Sequence, residues 1–407
     1  MILQPPDNAS TADGAIGQPG WKNPLAFDRN ITAASLSVLT LGLGEELWKK
    51  FLPKYLELLG ATAGIIGLFG AAEDFLDAIY QYPGGWLADR FGRRAALLTF
   101  LAAASAGYLV YFWSPSWPFL FLGLALTMVW QSMASPAIFA TIADALPKGQ
   151  RARGFTLQSL LKRVPMVISP VVGGAIMGAV GLRAGFRTGL AITLGFALIT
   201  LPLLASIRLA ATPSHSFGLV HVWSSFHRNL KRLLISDIAI RICEGMADIF
   251  TILYATNVAG ISVPQFGVLV AIQLATSIAI YLPAASLVRR VGAKPVVAAT
   301  FFFFAAYPLA VILAHDFGWM VFAFVVGGLR EIGEPARKAM IVDFADAQMR
   351  ARSVGLYYLI RGLSITPASL IGGLLWKIRP EIPFLIAGVI GLAGMIIFLS
   401  TVPGHGD

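Results

Sequence analysis

Charge is what this chain has least of. Asp, Glu, Lys and Arg make up 13% of its 407 residues, against about 25% in ordinary soluble domains. That leaves too little polar surface for a dissolved globule, while hydrophobic residues reach 57% and mean hydropathy is +0.74. Cysteine is nearly absent: Cys243 stands alone in an apolar stretch, which excludes an intrachain disulfide. The nucleotide-cradling pattern GxxxxGK followed by Ser or Thr is missing, which argues against direct ATP coupling in this chain. Histidine is sparse, and His215, His221, His227, His315 and His405 fall in loops and tail with no ligand motif. A membrane enzyme would need a cluster of nucleophile, base or metal ligands; none is legible, and no cofactor or metal is expected. The first thirty residues contain Gly, Pro and Asn without a basic segment leading into an apolar core. They are expected to form a tail and not a cleaved signal peptide.

Apolar windows of about 20 residues, enough to span a bilayer, recur along the chain. About twelve are placed, at 31–55, 62–87, 95–113, 119–145, 154–180, 189–209, 233–258, 266–288, 295–313, 319–346, 353–378 and 383–402. With that placement the net charge of +10 sorts by side. Seventeen Lys and Arg, including Arg90, Arg93, Arg94, Arg151, Arg153, Arg289, Arg290, Arg350 and Arg352, share one side; five (Lys54, Arg183, Arg187, Lys377 and Arg379) lie on the other. The positive-inside rule puts the richer side, with both termini, in the cytoplasm. The basic excess is therefore a topology signal, and no nucleic-acid partner is expected.

Self-comparison shows two similar halves. PGGWLADRFGRR from Pro83 has a counterpart 200 residues on, PAASLVRRVGAK from Pro283, with Leu87 on Leu287, Gly92 on Gly292 and Arg94 on Lys294. SPAIFATIADALPKGQRARG from Ser135 aligns at offset 199 with EPARKAMIVDFADAQMRARS from Glu334. There Pro136 falls on Pro335, Asp144 on Asp343, Lys162 on Arg361, and Gly173-Gly174 on Gly372-Gly373. Chance sharing of Leu, Ala and Gly does not hold charges and prolines in one register over 40 residues. The expected organisation is an all-α membrane protein: a tail at 1–30, six-helix bundles at 31–209 and 233–402, and a C-terminal tail at 403–407. The connector at 210–232 mixes apolar and basic residues; a surface-lying amphipathic helix and an ordinary solvated loop both fit.

The segment Gly85-Trp86-Leu87-Ala88-Asp89-Arg90-Phe91-Gly92-Arg93-Arg94 closes the second span. It resembles the signature loop of the major facilitator superfamily of secondary carriers, and it falls between spans two and three as that family requires. The resemblance implies two six-helix halves with the binding site at their interface near mid-membrane. It also implies that Gly85, Asp89, Arg90, Gly92, Arg93 and Arg94, with Asp144 as counter-charge, form a cytoplasmic latch. In the second half Arg289 replaces the aspartate, so an asymmetric latch is expected. Pro170-x-x-Gly173-Gly174 resembles the tail of the family's antiporter motif, but Ser169 and Pro165 stand where that motif has glycines; a kinked helix with a small-residue packing face is the other reading.

Ionisable residues inside a span cost roughly 2.5–3.5 kcal/mol each unless they face protein or water. Span one carries Glu45, Glu46, Lys49 and Lys50; span two Glu73, Asp74 and Asp77; span five Lys162 and Arg163. Span seven carries Arg241, Glu244 and Asp248; span ten Arg330, Glu331, Glu334, Arg337 and Lys338; span eleven Arg361. Those near mid-span are expected to line a cavity between the halves, with Gln131 of span four, whereas Lys49 and Lys50 sit near enough to the outer end to snorkel. Glu73 with Asp77, and Glu244 with Asp248, are i, i+4 pairs on one face, where carboxylates repel and one of them can exchange a proton. Arg330 and Glu334 share the same spacing and either neutralise each other or, with Glu331, face a substrate in the cavity. Lys162 and Arg361 either hold an anionic group of a substrate or act as counter-ions.

The expected activity is transport of a small organic solute by alternating access, driven by the proton gradient. Efflux by antiport is preferred, on the partial antiporter motif and the small loops; proton-coupled import of a polar, anionic or zwitterionic nutrient is the alternative. Charges scattered over both halves suit a closable cavity better than a passive pore. The expected partners are solute, protons and lipid, and the expected setting is a monomer in a prokaryotic inner membrane.

Overall fold

The computed structural model describes residues 29–145, 151–208, 223, 226–345 and 350–403. Among them every regular element is helical, as lipid demands of a chain whose backbone groups have no water to bond. The first half comprises α1 (Arg29–Glu45), α2 (Leu52–Leu58), α3 (Ala63–Phe91), α4 (Arg93–Trp113), α5 (Pro118–Met128), α6 (Ala134–Ala145), α7 (Arg151–Val180) and α8 (Leu182–Ala205). The second comprises α9 (Arg228–Asn257), α10 (Val263–Val291), α11 (Ala293–Leu313), α12 (Phe317–Leu329), α13 (Glu334–Asp343), α14 (Arg350–Trp376) and α15 (Ile382–Thr401). Eight helical segments are long and apolar enough to cross a membrane by length and composition. The expected count of twelve also needs α1 with α2, α3, α9, and α12 with α13, which are broken or carry the charges noted above.

Each half packs on itself, α1 against α8 and α4 against α5 and α8, α9 and α11 against α15. The halves meet through two helix pairs, α3 with α14 and α7 with α10. At one end those pairs touch backbone to backbone. A Cβ on Gly67 would stand 2.4 Å from the Ser369 carbonyl oxygen, and one on Gly267 would stand 2.2 Å from that of Pro170. Ser369 and Pro170 are repeat mates, so the two contacts are copies. The paired glycines follow suit: Gly173 abuts Leu47 and Gly372 abuts Met246 within their own halves, whereas Gly174 abuts Val263 and Gly373 abuts Ala63 across the seam. The Pro-x-x-Gly-Gly segment of α7 is thus half of a two-fold seam of small residues. A polar clasp reinforces the same end: Lys54 donates to Asn257, whose Nδ2 donates to Glu57 Oε1 at 2.6 Å, and Lys54 Nζ lies 2.5 Å from Glu57 Oε2.

The other end lacks such contacts at its described glycines. A Cβ on Gly85 of α3 or on Gly355 of α14 would meet no atom within 4 Å. The halves are therefore shut at the Lys54 end.

Three boundaries differ from the sequence-based expectation. α3 continues to Phe91, so Gly85 through Arg90 occupy its last turns and not a loop; nothing breaks the helix until Gly92, whose φ of +84° only glycine adopts freely. Gly292, its repeat mate, ends α10 at +87°. α9 begins at Arg228, inside the stretch expected as connector. The rest of that connector apart from Trp223, Phe226 and His227, the tails apart from residues 29–30 and 403, and the side chains of Asp89 and Asp144 lie outside the described residues.

Gly67→Val and Gly373→Val are expected to destabilise the shut seam by about 1–3 kcal/mol through overpacking, seen as a lowered unfolding temperature in detergent. Gly85→Ala, which meets open space in this state, is expected to leave that temperature unchanged or raise it.

Candidate functional site

Three of the spans facing the centre are interrupted where their polar residues lie. Span one leaves α-geometry after Glu45 and resumes at Leu52 through a 3₁₀ turn, Lys49–Phe51. Pro53 cannot donate a helical hydrogen bond and its ring crowds the preceding turn. Span four carries a π-bulge at Val129–Met133, just before Pro136, and such bulges swing side chains out of α register. Span ten breaks over 330–333, ahead of Pro335 in α13; Gly333 N–H is rescued by Thr300 Oγ1 at 2.6 Å.

The break in span one turns Lys49 and Lys50 inward, not toward the bilayer surface. Lys49 Nζ donates to Gln131 Oε1 at 2.7 Å and lies 4.0 Å from Glu73 Oε1. Gln131 and Tyr108 both donate to Glu45 Oε1, at 3.4 and 2.6 Å. Glu46 keeps one buried carboxylate oxygen without a hydrogen-bond donor. Ser132, on the bulge, donates to Asp77 Oδ1 at 2.7 Å. Asp74 differs from its neighbours: its one hydrogen bond comes across the seam from Ser369 Oγ, 3.4 Å away, and no cation stands within 4.0 Å among the described residues.

The second half carries an alternating ladder of charge. Asp237, Arg241, Glu244 and Asp248 line one face of α9, and Arg337, Glu334 and Arg330 of span ten face them. Asp237 pairs with Arg337 with both side chains fully buried, and Arg337 Nη2 lies 2.5 Å from Glu334 Oε2. Arg241 bridges Glu334 and Glu244, at 3.6 and 2.5 Å. Arg330 reaches Glu244 at 3.8 Å and Asp248 at 3.2 Å, lying over the Tyr307 ring at 4.6 Å. Arg361 and Tyr357 close the inner end on Asp237 Oδ2, at 3.3 and 3.0 Å. The expected Arg330–Glu334 pair does not form: the break over 330–333 takes the two out of i, i+4 geometry, and each finds partners on α9. Both charges of the Glu244–Asp248 pair are likewise matched by arginine, which sequence spacing did not show.

Two connected chambers lie between the halves, of about 310 and 460 Å³, sharing Lys50, Glu244, Asp248 and Phe266 in their walls. The smaller is walled by Glu73, Asp74 and Gln131, the larger by Lys162, Arg163, Arg330 and Glu331. Arg163 Nη2 donates to Tyr281 across the seam at 2.8 Å, and Tyr281 donates to Glu331 Oε2 at 2.7 Å. A roomier concavity of about 800 Å³ beside Leu58, Phe112 and Arg183 belongs to the first half alone and has no acid in its wall. It is not a place where the halves could trap a solute.

Of the residues singled out by sequence, Glu73, Asp74, Gln131, Lys162, Glu244, Asp248, Arg330 and Glu331 line the chambers. Glu45, Glu46, Asp77, Glu334 and Arg361 stand behind them. In the latch segment, Arg90 stacks on Trp86 at 5.1 Å and Arg93 is buried. Asp237 and Tyr281 escaped the sequence reading; the i, i+4 spacing of Asp237 to Arg241 was the available signal for the first. Nothing local marked Tyr281.

The family model for the Major Facilitator Superfamily matches residues 26–236 and 233–406. An uncharacterised MFS-type transporter of Methanocaldococcus jannaschii is 22% identical over 94% of this chain and 97% of its own. The class G tetracycline resistance protein of Vibrio anguillarum is 31% identical over 46% of this chain and 47% of its own. Among solved structures, a POT family transporter in complex with 5-aminolevulinic acid superposes with a TM-score of 0.77, at 12% identity, covering 93% of this chain and 97% of that one.

Removing one member of a buried ion pair leaves the other uncompensated, at a cost of about 3–5 kcal/mol. Asp237→Ala is expected to fall in that range by denaturation in detergent. Asp237→Leu combined with Arg337→Met is expected to lose less than the sum of the two single changes, since the most deeply buried pair leaves together, Glu334 keeps Arg241 and Arg361 alone loses its ion pair.

Proposed function

The chain belongs to the major facilitator superfamily, and from that premise we propose that it is a proton-coupled carrier that expels a small organic solute. The observation carrying this reading is Asp74. It is a carboxyl in the central cavity, without a cationic partner among the described residues, hydrogen-bonded to the opposite half. A carboxylate there is charged in one protonation state only, so proton uptake changes the energy of the seam it touches. Glu73 and Asp77 stand beside it, but Lys49 and Ser132 already engage them. Direction is inferred from two supports. The first half carries the Pro-x-x-Gly-Gly segment, and the relative aligned over 46% of the chain is a tetracycline resistance protein by name. The POT neighbour supports the fold alone and has no bearing on direction.

With the basic side in the cytoplasm, the Arg90 end faces inward and the clasped Lys54 end outward. In that orientation, an inner membrane with both termini cytoplasmic is the proposed setting. Proton-coupled import remains the second reading, because the cavity holds charges of both signs, as a polar nutrient would require.

The test is a thermal-shift panel of solutes on purified protein, with tetracycline among them, followed by uptake into proteoliposomes under an imposed pH gradient. Flux is expected to saturate and to follow the pH jump. Asp74→Asn is expected to remove the pH-driven component while solute exchange at equal pH persists; Glu73→Gln and Asp77→Asn should weaken it less. Flux linear in solute and indifferent to pH would overturn the carrier reading.

A further inference from the structure

The larger chamber has cations to spare. Its wall includes Lys50, Lys162, Arg163 and Arg330 against Glu244, Asp248 and Glu331. Every one of those carboxylates is already engaged: Glu244 by Arg241 and Arg330, Asp248 by Arg330, and Glu331 by the hydroxyl of Tyr281, which also binds Arg163. The arginines are equally committed. Lys50 and Lys162 are not, since neither ammonium has an ion-pair or hydrogen-bond partner among the described residues, and both are exposed within the cavity wall. An ammonium without a close partner is unfavourable where the dielectric is low, and an anion entering the chamber relieves that.

Between its polar groups Gln158, Thr251, Gln273 and Ser277, the wall also presents Phe139, Met166, Phe266 and Phe324, and about 460 Å³ lies within the usual range for small-molecule sites. Lys50 belongs to span one of the first half and also borders the smaller chamber, where Asp74 sits. An anion on Lys50 is therefore placed next to the proposed proton site, and the two bound charges are coupled through space.

We propose that Lys50 and Lys162 form an anion subsite, and that the transported solute is a small organic acid with an aromatic or similarly apolar body. The carboxylate, or an equivalent acidic group, sits between the two ammoniums, and the apolar body lies on the phenylalanines. This rests on the carrier reading only in taking the larger chamber as the solute's place. The spare charge is a property of the chamber whatever drives transport.

The test uses the full chain in nanodiscs with three probes of one shape: 2-naphthoate, its methyl ester, and 2-naphthylmethylamine. Saturable thermal stabilisation by naphthoate, and none by the ester or the amine, is the expected result. Lys50→Gln and Lys162→Gln should each weaken naphthoate binding roughly 10- to 100-fold, as loss of a hydrogen bond to a charged group does. Lys50→Arg and Lys162→Arg should recover most of it, which separates a charge requirement from misfolding. No saturable response to naphthoate, equal response to the ester or amine, or unchanged affinity in both glutamine variants would overturn the subsite. Ethidium flux under a pH gradient, abolished by Asp74→Asn, would in that event leave the carrier reading intact while refuting the organic acid.

Discussion

Charges placed between apolar walls must find their partners within the protein, and that constraint shapes most of this molecule. An isolated ion at mid-membrane is expensive, so the acids and bases of spans one, two, seven and ten are drawn to the interface of the two halves. There they meet one another or the cavity. The ladder from Asp237 through Arg337, Glu334, Arg241, Glu244 and Arg330 to Asp248 is the fullest expression of it. Each rung has an opposite charge on the facing element, and the rungs run from a fully buried end to one that opens on the cavity. Among the described residues, Asp74, Lys50 and Lys162 border the chambers without an ion-pair partner. They stand where a proton or a solute can complete them.

The interruptions of spans one, four and ten belong to the same economy. A continuous helix would place Lys49 near the bilayer surface, keep Gln131 and Ser132 in α register, and join Arg330 to Glu334. Pro53, Pro136 and Pro335 follow these interruptions, and neighbouring side chains such as Thr300 take up the freed backbone groups. Irregular backbone at membrane depth is tolerated because it faces protein or cavity and not lipid.

Small residues do the opposite work at the shut end. Repeat-related glycines on α7 and α14 let backbone rest on backbone, and a three-residue clasp closes the rim. Symmetry holds for this seam and fails for the charges. Lys162 and Arg361 occupy matching positions, yet one lines the cavity without a partner among the described residues and the other is bound to Asp237. A packing surface tolerates duplication because both copies face the same problem. A binding cavity that discriminates one end of a solute from the other does not.

The two-half plan, the membrane setting and the family were legible in the chain itself, because hydropathy, a 199–200-residue register and the Gly85–Arg94 segment are all local or periodic signals. Which residues carry intramembrane charge was equally plain, and their gathering between the halves followed from the cost of leaving them in lipid. Partner choice was not. The distance from Arg330 to Asp248, from Asp74 to Ser369, or from Arg163 to Tyr281 depends on where a helix breaks and how two halves dock, and each pair is separated by at least 82 residues. Helical spacing predicts neighbours on one unbroken rod, and it misassigned Arg330 where the rod is broken. Tertiary structure alone decided which charges cancel and which remain free, because cancellation needs atoms within about 4 Å and sequence carries no such distance.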